Sequence, residues 1–428
     1  LRDFIKILKG VINKKMSSSF LIDLQSYGDT EKLLYGGPEA YSYFNREINK
    51  CMPFSQRQCE LKRHNGTSNF GYTWSVVVDN DLGDYMTNCW LAIQTPEVKV
   101  VDTEGASSIR WTENLMHNLI EECTLTFNET VVSKINNFSL DFVSEFNIPD
   151  SKYKGYQKFI GNDLTEPQKV LEQTKLFLPL PLFFCKDTGN AVPLTALPHT
   201  EIRINFKFRS WENLLILYRR DNDNTPIVPV VGQDILDVPS IPSTKLFGTF
   251  INVSPEERSK IGVKSKLMVI DQIQTSPRQM LTNDSDANID LLFKHSVKSL
   301  FFAARNSTYK NVWSDYTAGG QEIIKSASIK YNDKLRVDDM PSEYFHYINA
   351  WYHSKRLPTK QGLYAYHFSL DLESSDPCGG VCLSRIDNPS LSISLDSDVI
   401  NDKGTFELVV IAVSNNLIKI NEGVITFV

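Results

Sequence analysis

The stretch PCGGVCLSRIDNPSL, residues 377–391, brings two thiols, a guanidinium and a carboxylate into one short run. Cys378 and Cys382 flank Gly379-Gly380, and Ser384, Arg385, Asp387 and Asn388 follow. Two chemistries use closely spaced thiols. A structural zinc site needs C-x2-C and a second pair of ligands nearby. A redox pair needs C-x-x-C at a helix start, where the thiolate is stabilised. Here the spacing is C-x3-C, and no Cys or His stands in the ten residues after Cys382. Gly379 and Gly380 offer the positive φ of a tight turn. Val381 and Leu383 then alternate with Cys382 and Ser384, as at a strand start. Arg385 and Asp387, two apart, are expected to share a side and to pair with each other or with a neighbouring loop. Asn388-Pro389 bends the chain, because a residue before proline resists helix. The reading is a structural turn.

Other candidates for chemistry are weaker. Phosphate-loop, dinucleotide, zincin and nucleophile-elbow motifs are absent from the sequence. DNDN (221–224) opens like a calcium loop, but Pro226 stands where the sharp turn needs glycine, and NDSDANID (283–290) has Ile289 after Asn288. Both read as turns. The histidines (64, 117, 199, 295, 346, 353, 367) lack paired ligand spacing, so each is expected to be hydrogen-bonded or exposed. Asp371 and Glu373 are the best carboxylate pair for cutting or binding a glycan, but surface charges on a strand explain them better. No catalytic residue, metal set or cofactor site is assigned.

The elements that would position these residues are mostly strands. In EIRINFKFR (201–209) Ile202, Ile204, Phe206 and Phe208 alternate with polar residues, and FGYTWSVVV (70–78), YAYHFSLDL (364–372) and LSISLDS (391–397) repeat the pattern. Such alternation buries one face and wets the other. Many short strands with Gly, Pro, Asn and Asp between them indicate an all-β sandwich. Helices are expected over 111–122 and 341–353, one in each half, and this rhyme suggests two β-rich domains of similar plan. Ser254, Pro255 and Glu257 form a capping box ahead of a short helix. The Pro-, Asp- and Asn-rich stretch 221–244 reads as a long connection.

Composition sets the outer limits. The chain has 428 residues, 41% hydrophobic and 22% charged, so two domains are the default. A net charge of −6 gives no broad attraction to nucleic acid. No apolar run approaches the ~18–20 residues that span a bilayer, so a soluble protein is expected. Seven scattered cysteines suggest reduced thiols, and the six sequons at Asn65, Asn128, Asn137, Asn252, Asn283 and Asn306 are taken as chance matches. Residues 1–15 are basic and do not fit a secretory signal. Phe4, Ile5, Leu8, Val11 and Ile12 could line one face of a basic amphipathic helix that lies on a membrane or a partner. The other reading is a mobile terminus ahead of a natural start at Met16.

The turn also resembles one in the second jelly roll of the major capsid proteins of large nucleocytoplasmic double-stranded DNA viruses, with Cys378 in place of a small polar residue. YGGPEAYSYFNREI (35–48), RWTENLMHNLIEECTLTFNE (110–129) and VLEQTKLFLPLPLFFCKDTGNAVPLTALPHTEIRINFKFR (170–209) look like the iridovirus and ascovirus branch. So do VSPEERSKIGVKSKLMVIDQIQTSPR (253–278), KSLFFAARNST (298–308), WSDYT (313–317) and AVSNNLIKINEG (412–423), in the expected order. One departure is Ser414-Asn415-Asn416, where the family carries Asn-Tyr-Asn.

The resemblance implies a double jelly roll: two eight-stranded antiparallel sandwiches side by side, with a few short helices in loops. Its expected bounds are an N-terminal extension at 1–17, a first roll at 18–253 and a second at 254–428. It implies a structural signature at Gly379, Gly380, Ser384, Arg385, Asp387 and Asn388. It further implies a non-enzymatic shell protein of the virion, assembled in the host cytoplasm as pseudo-hexagonal homotrimers that tile an icosahedral capsid. Its partners would be other copies, minor capsid proteins and an internal lipid membrane, with no direct nucleic-acid contact and no cofactor. The competing readings are a scaffold of the same fold that shapes a membrane during assembly, and a glycan-binding β-sandwich.

Overall fold

In the computed structural model the alternating runs become the strands of two sandwiches. The structure describes residues 22, 26, 28–38, 40–45, 48–101, 107–219, 225–281, 286–396, 399 and 404–428. It divides into two units, Leu1–Met52 and Pro53–Val428. In the first, Glu31–Leu34 is a short helix with no buried residue. The amphipathic helix expected over 1–15 and the DNDN stretch lie outside the described residues.

In the second unit the first sandwich is built from β1 (Phe54–Glu60), β2 (Thr73–Val78), β3 (Tyr85–Gln94), β4 (Ile120–Phe127), β5 (Thr130–Ile135), β6 (Lys175–Pro179), β7 (Ile202–Phe208) and β8 (Ser243–Val253). They pair in the orders β1-β8-β3-β6 and β2-β7-β4-β5. The next sandwich uses β9 (Lys266–Thr275), β10 (Asp286–Asp290), β11 (Ser296–Asn306), β12 (Ile324–Tyr331), β13 (Lys334–Pro341), β14 (Tyr364–His367), β15 (Ser390–Leu395) and β16 (Phe406–Asn421). Their orders are β9-β16-β11-β14 and β10-β15-β12-β13. Raising every label of the first sandwich by eight gives the second. All these pairings are antiparallel. The repeat extends to a turn. Asn128-Glu129 between β4 and β5, and Asn332-Asp333 between β12 and β13, all have positive φ, as tight two-residue hairpins require.

Each sandwich builds its own core, and Met268, Ile270, Ile418 and Ile420 of the second join that of the first. Along β7 the residues Ile202, Ile204, Phe206 and Phe208 are buried, and Phe206 and Phe208 stack on Trp74 of β2 at 5.5 and 6.3 Å between ring centroids. Leu300, Phe302 and Ala304 of β11 face the second core, with Leu391 and Ile393 of β15. The opposite face of β11, with Phe301 and Ala303, is also buried, under a helix from the first half.

That helix is α2 (Asn137–Asn147), which follows β5 and precedes α3 (Asp150–Phe159). Neither was expected. Asn136 caps α2 reciprocally: its side chain accepts from Ser139 N at 2.8 Å, and its own N–H donates to Ser139 Oγ at 2.9 Å. The expected helix at 111–122 contracts to α1 (Leu115–Leu119). Trp111 ends a strand and Ile120 begins β4, because Ile120–Phe127 gains ladders on both edges and sheet pairing overrides the helical spacing. The helix at 341–353 forms, as a π-helical turn at Tyr344–Ile348 running into α5 (Asn349–His353). The two expected helices are therefore not counterparts. α1 lies between β3 and β4, whereas α5 lies between β13 and β14, and its counterpart is the α2–α3 pair between β5 and β6. The short helix α4 (Pro255–Arg258) has the expected Ser254 cap, which accepts from Glu257 N at 3.4 Å.

Candidate functional site

The turn at 377–391 lies between β14 and β15. Gly379 has φ +118°, a conformation that side chains resist. At Gly380 the reason for glycine is space: a Cβ there would stand 2.4 Å from Ser296 Oγ and 3.0 Å from Val297 O. The chain can therefore press against β11, where Val381–Cys382 pairs with Ser296–Val297. A 3-10 turn at Leu383–Arg385 follows, with Leu383 buried. The Asp387 carbonyl accepts from Asn332 N at 3.0 Å, docking the turn on the β12–β13 hairpin. Asn388 takes positive φ, and the Pro389 carbonyl accepts from Leu291 N at 2.8 Å.

The side chains of this run do less than its backbone. Cys378 Sγ donates to the Asp371 carbonyl at 3.1 Å, and Cys382 Sγ lies 3.4 Å from Ser384 Oγ. Arg385 and Asp387 are both exposed, and the expected ion pair between them is not among the ion pairs of the described residues. The 3-10 turn breaks the strand alternation that would have placed them on one side. Asp371 and Glu373 also depart from expectation. β14 ends at His367, so they lie in the following loop, where Glu373 pairs with Lys355 and Asp371 Oδ1 accepts from Glu373 N at 2.9 Å.

The most organised polar site is one that sequence reasoning missed, at the seam between the sandwiches. Phe138, Phe142 and Phe146 of α2 pack on the outer face of the second sandwich, with Phe142 and Phe146 5.4 and 5.3 Å from Phe301. On another side of α2, buried Asp141 collects four hydrogen bonds. Asn114 Nδ2 and His117 Nδ1 reach Oδ1 at 2.9 and 2.6 Å, while Ser314 Oγ and Tyr316 OH reach Oδ2, both at 2.8 Å. Burial alone would raise the Asp141 carboxyl. His117, then the Lys360 charge and the Ser314 hydroxyl, outweigh it and hold the group at about 2. One turn later Glu145 accepts from Tyr153 and from Thr359 N and Oγ1, the last two at 3.1 and 3.2 Å. Asp271 of β9 ties Lys298 of β11, whose side chain is 0% exposed, to Lys186 of the first sandwich at 3.3 and 2.5 Å. Asp141 shows how such a site escapes notice, because its partners come from separate parts of the chain.

One arrangement resembles a nucleophile with its base. Buried His367 has Nδ1 2.7 Å from Ser299 Oγ and Nε2 2.9 Å from Ser354 Oγ. Burial, then the nearby His353, depresses this imidazole to about 3. So weak a base does not take a serine proton near neutrality. It serves as a neutral hydrogen-bonded link between β11 and the segment after α5. Among the described residues no group of three or more His, Cys, Asp or Glu is placed to hold a metal, and no helix is long and apolar enough to cross a membrane. The cysteines are free thiols, and burial pushes Cys185 up to about 12.

A framework repeated twice and fused along a packed seam makes the comparisons with known proteins direct. Residues 42–252 match the family model described as "Major capsid protein N-terminus", and residues 257–426 match "Large eukaryotic DNA virus major capsid protein". The chain belongs to the major capsid protein family of large eukaryotic DNA viruses. It is 36% identical to the major capsid protein of Invertebrate iridescent virus 6, over 97% of this chain and 99% of that one. It is 32% identical to the major capsid protein of Frog virus 3 (isolate Goorha), over 98% and 99%. Among solved structures it resembles a chain of the PBCV-1 virus capsid, with TM-score 0.75, 18% identity and 90% of this chain covered against 99% of that one. The Faustovirus major capsid protein also gives TM-score 0.75, at 12% identity, with 96% and 98% covered. The fold is the double jelly roll of these capsid proteins, and the family's role is structural.

Within a capsid protein, Asp141 and the α2 phenylalanines act as framework that fixes one jelly roll against the other. The sequence signal for them was present but faint: Asn136 and Ser139 at capping-box spacing, then phenylalanine at every fourth position from 138 to 146.

Proposed function

We propose that this chain is a shell subunit that self-assembles into homotrimeric capsomers of pseudo-hexagonal outline, which tile an icosahedral virion. The observation that carries this reading is the repeated strand order. One chain presents two sandwiches of the same plan, so three chains around an axis present six. A cyclic trimer closes on itself and leaves its outer sides for capsomer–capsomer contact. Minor capsid proteins and an internal membrane complete the proposed partners, with assembly in the host cytoplasm and no enzyme activity. In this account the 377–391 turn, with Gly379, Gly380, Ser384, Arg385, Asp387 and Asn388, shapes the connection between β14 and β15. Its backbone holds the loop to β11 and to the β12–β13 hairpin, while Arg385 and Asp387 face outward.

Self-association also needs surface anchors, and large aromatic side chains supply much of the energy in such contacts. Trp351 and Tyr352 of α5 are 70% and 73% exposed, beside exposed Tyr347 and Ile348. A neighbouring copy is their proposed cover. Negative-stain imaging of the purified chain tests the reading: particles of hexagonal outline support it, and single elongated subunits oppose it.

A further inference from the structure

A second feature of the seam adjoins the Asp141 network through Asn118, which accepts from Arg209 and donates to Ser314. The indole of Trp313 is held between two guanidinium groups, with Arg209 Cζ 3.4 Å and Arg305 Cζ 4.0 Å from its ring centroid. Arg209 follows β7 in the first sandwich, while Arg305 is the penultimate residue of β11 in the second. Both are well buried, at 8% and 3% exposure. They form the wall of an open cleft of about 460 Å³ whose rim carries Lys207, Arg278 and Lys310.

The charges in this cleft do not balance. Its lining holds five cationic side chains against two carboxylates, Glu121 and Glu407, a local net of +3 in a chain whose total is −6. Glu121 is engaged by Lys207 at 2.7 Å, and Glu407 is divided between Arg278 at 3.0 Å and Arg305 at 3.4 Å. Arg209 has no carboxylate within ion-pair distance among the described residues; its Nε donates to the Asn118 carbonyl at 2.9 Å and its Nη2 to Asn137 Oδ1 at 3.3 Å. Lys310 likewise has no ion pair among the described residues. The Arg305 Nε is buried without a hydrogen-bond partner. Burial depresses Arg209 to about 10; Glu121 opposes that shift, while Arg305 and Arg278 add to it. Like charges collected in a partly desolvated cleft favour a counter-anion.

We propose that this cleft binds a phosphate- or sulfate-bearing anion that bridges the two sandwiches. Lys310 and Arg278 contact the anion from the rim, where their donors are accessible, and the buried Arg209–Trp313–Arg305 stack supplies a fixed positive wall. Guanidinium and ammonium groups in this arrangement suit a tetrahedral oxyanion, which accepts charge-assisted hydrogen bonds on several sides. The bound anion acts as a strut across the seam.

The test uses the purified chain in its native assembly state, with thermal unfolding followed against sodium tripolyphosphate at ionic strength held constant with sodium chloride. A saturable rise in the unfolding midpoint is expected. Arg278→Gln and Lys310→Ala should each weaken the apparent affinity by about tenfold, whereas Lys325→Ala, an exposed lysine on β12, should leave it unchanged. Both rim variants are surface changes, so folding is preserved. Competition by sodium sulfate would widen the ligand to tetrahedral anions in general, and its absence would narrow it to phosphate. A midpoint that only follows ionic strength, or an equal rise in the rim variants and the parent, would overturn the proposal.

Discussion

Tyr316 and Asp141 meet across the seam: the phenol hydroxyl of the second sandwich donates to Oδ2 of a carboxylate on α2 at 2.8 Å. The same oxygen accepts from Ser314, and Oδ1 accepts from Asn114 and His117. Asp141→Ala leaves these donors buried without their acceptor. A loss of ~3–5 kcal/mol is expected, the range for breaking a buried charged network from one side. Chaotrope unfolding of parent and variant measures it, and a loss below ~1 kcal/mol would show that the network does not hold the seam.

The sandwiches should also be acid-labile, for two reasons with the same sign. His367 sits at about 3 in the folded chain against an ordinary 6.5, so the unfolded chain takes up a proton that the folded one refuses as pH falls below 6.5. Asp141 sits at about 2 against 3.8, so its contribution is present above 3.8 and is lost as pH falls toward 2. Each unit of displacement is worth at most ~1.4 kcal/mol. Stability should decline from pH 6.5 to 3, with a second component below about 4. His367→Gln should flatten the upper part of that curve, and an unchanged slope would place its cause elsewhere.

At the turn the backbone matters and the thiols do not. Gly380→Ala places a methyl against Ser296 Oγ and the Val297 carbonyl, so it should lower the unfolding midpoint measurably. Cys378→Ser combined with Cys382→Ser should be nearly silent. Arg385→Ala, on an exposed side chain, should change stability by less than about 0.5 kcal/mol. A large effect of Arg385→Ala on stability in the isolated chain would mean that its side chain has a partner.

How much of this could be read beforehand depended on whether an element carries one period or two. β7 and β15 keep a wet face and a dry face, so alternation reveals them. β11 is buried on both sides, one toward its own core and one under α2, and SLFFAARN loses its period for that reason. α2 hid because asparagine, serine and aspartate interrupt its phenylalanine stripe. The glycine pair at 379–380 announced a turn, but the 3-10 turn at Leu383–Arg385 was not foreseen, and with it went the Arg385–Asp387 pair. Asp141 could not be found locally at all. Its partners lie 24 to 175 residues away in sequence, and only the folded seam brings them together.

The exposed aromatics of α5 separate assembly from folding. Trp351→Ala with Tyr352→Ala removes side chains that are largely solvent-exposed in the single chain, so the unfolding midpoint of the isolated subunit should hardly move. Assembly should weaken by tenfold or more, as roughly expected when aromatic anchors are truncated. Sedimentation across a concentration series distinguishes the two effects, and unchanged association would remove these residues from the contact.

Light scattering coupled to size exclusion gives the absolute mass of the main peak. A trimeric capsomer has three times the mass of one chain, and its peak should persist on dilution through the micromolar range. A peak at the mass of a single chain, at every concentration at which the protein stays in solution, would contradict it.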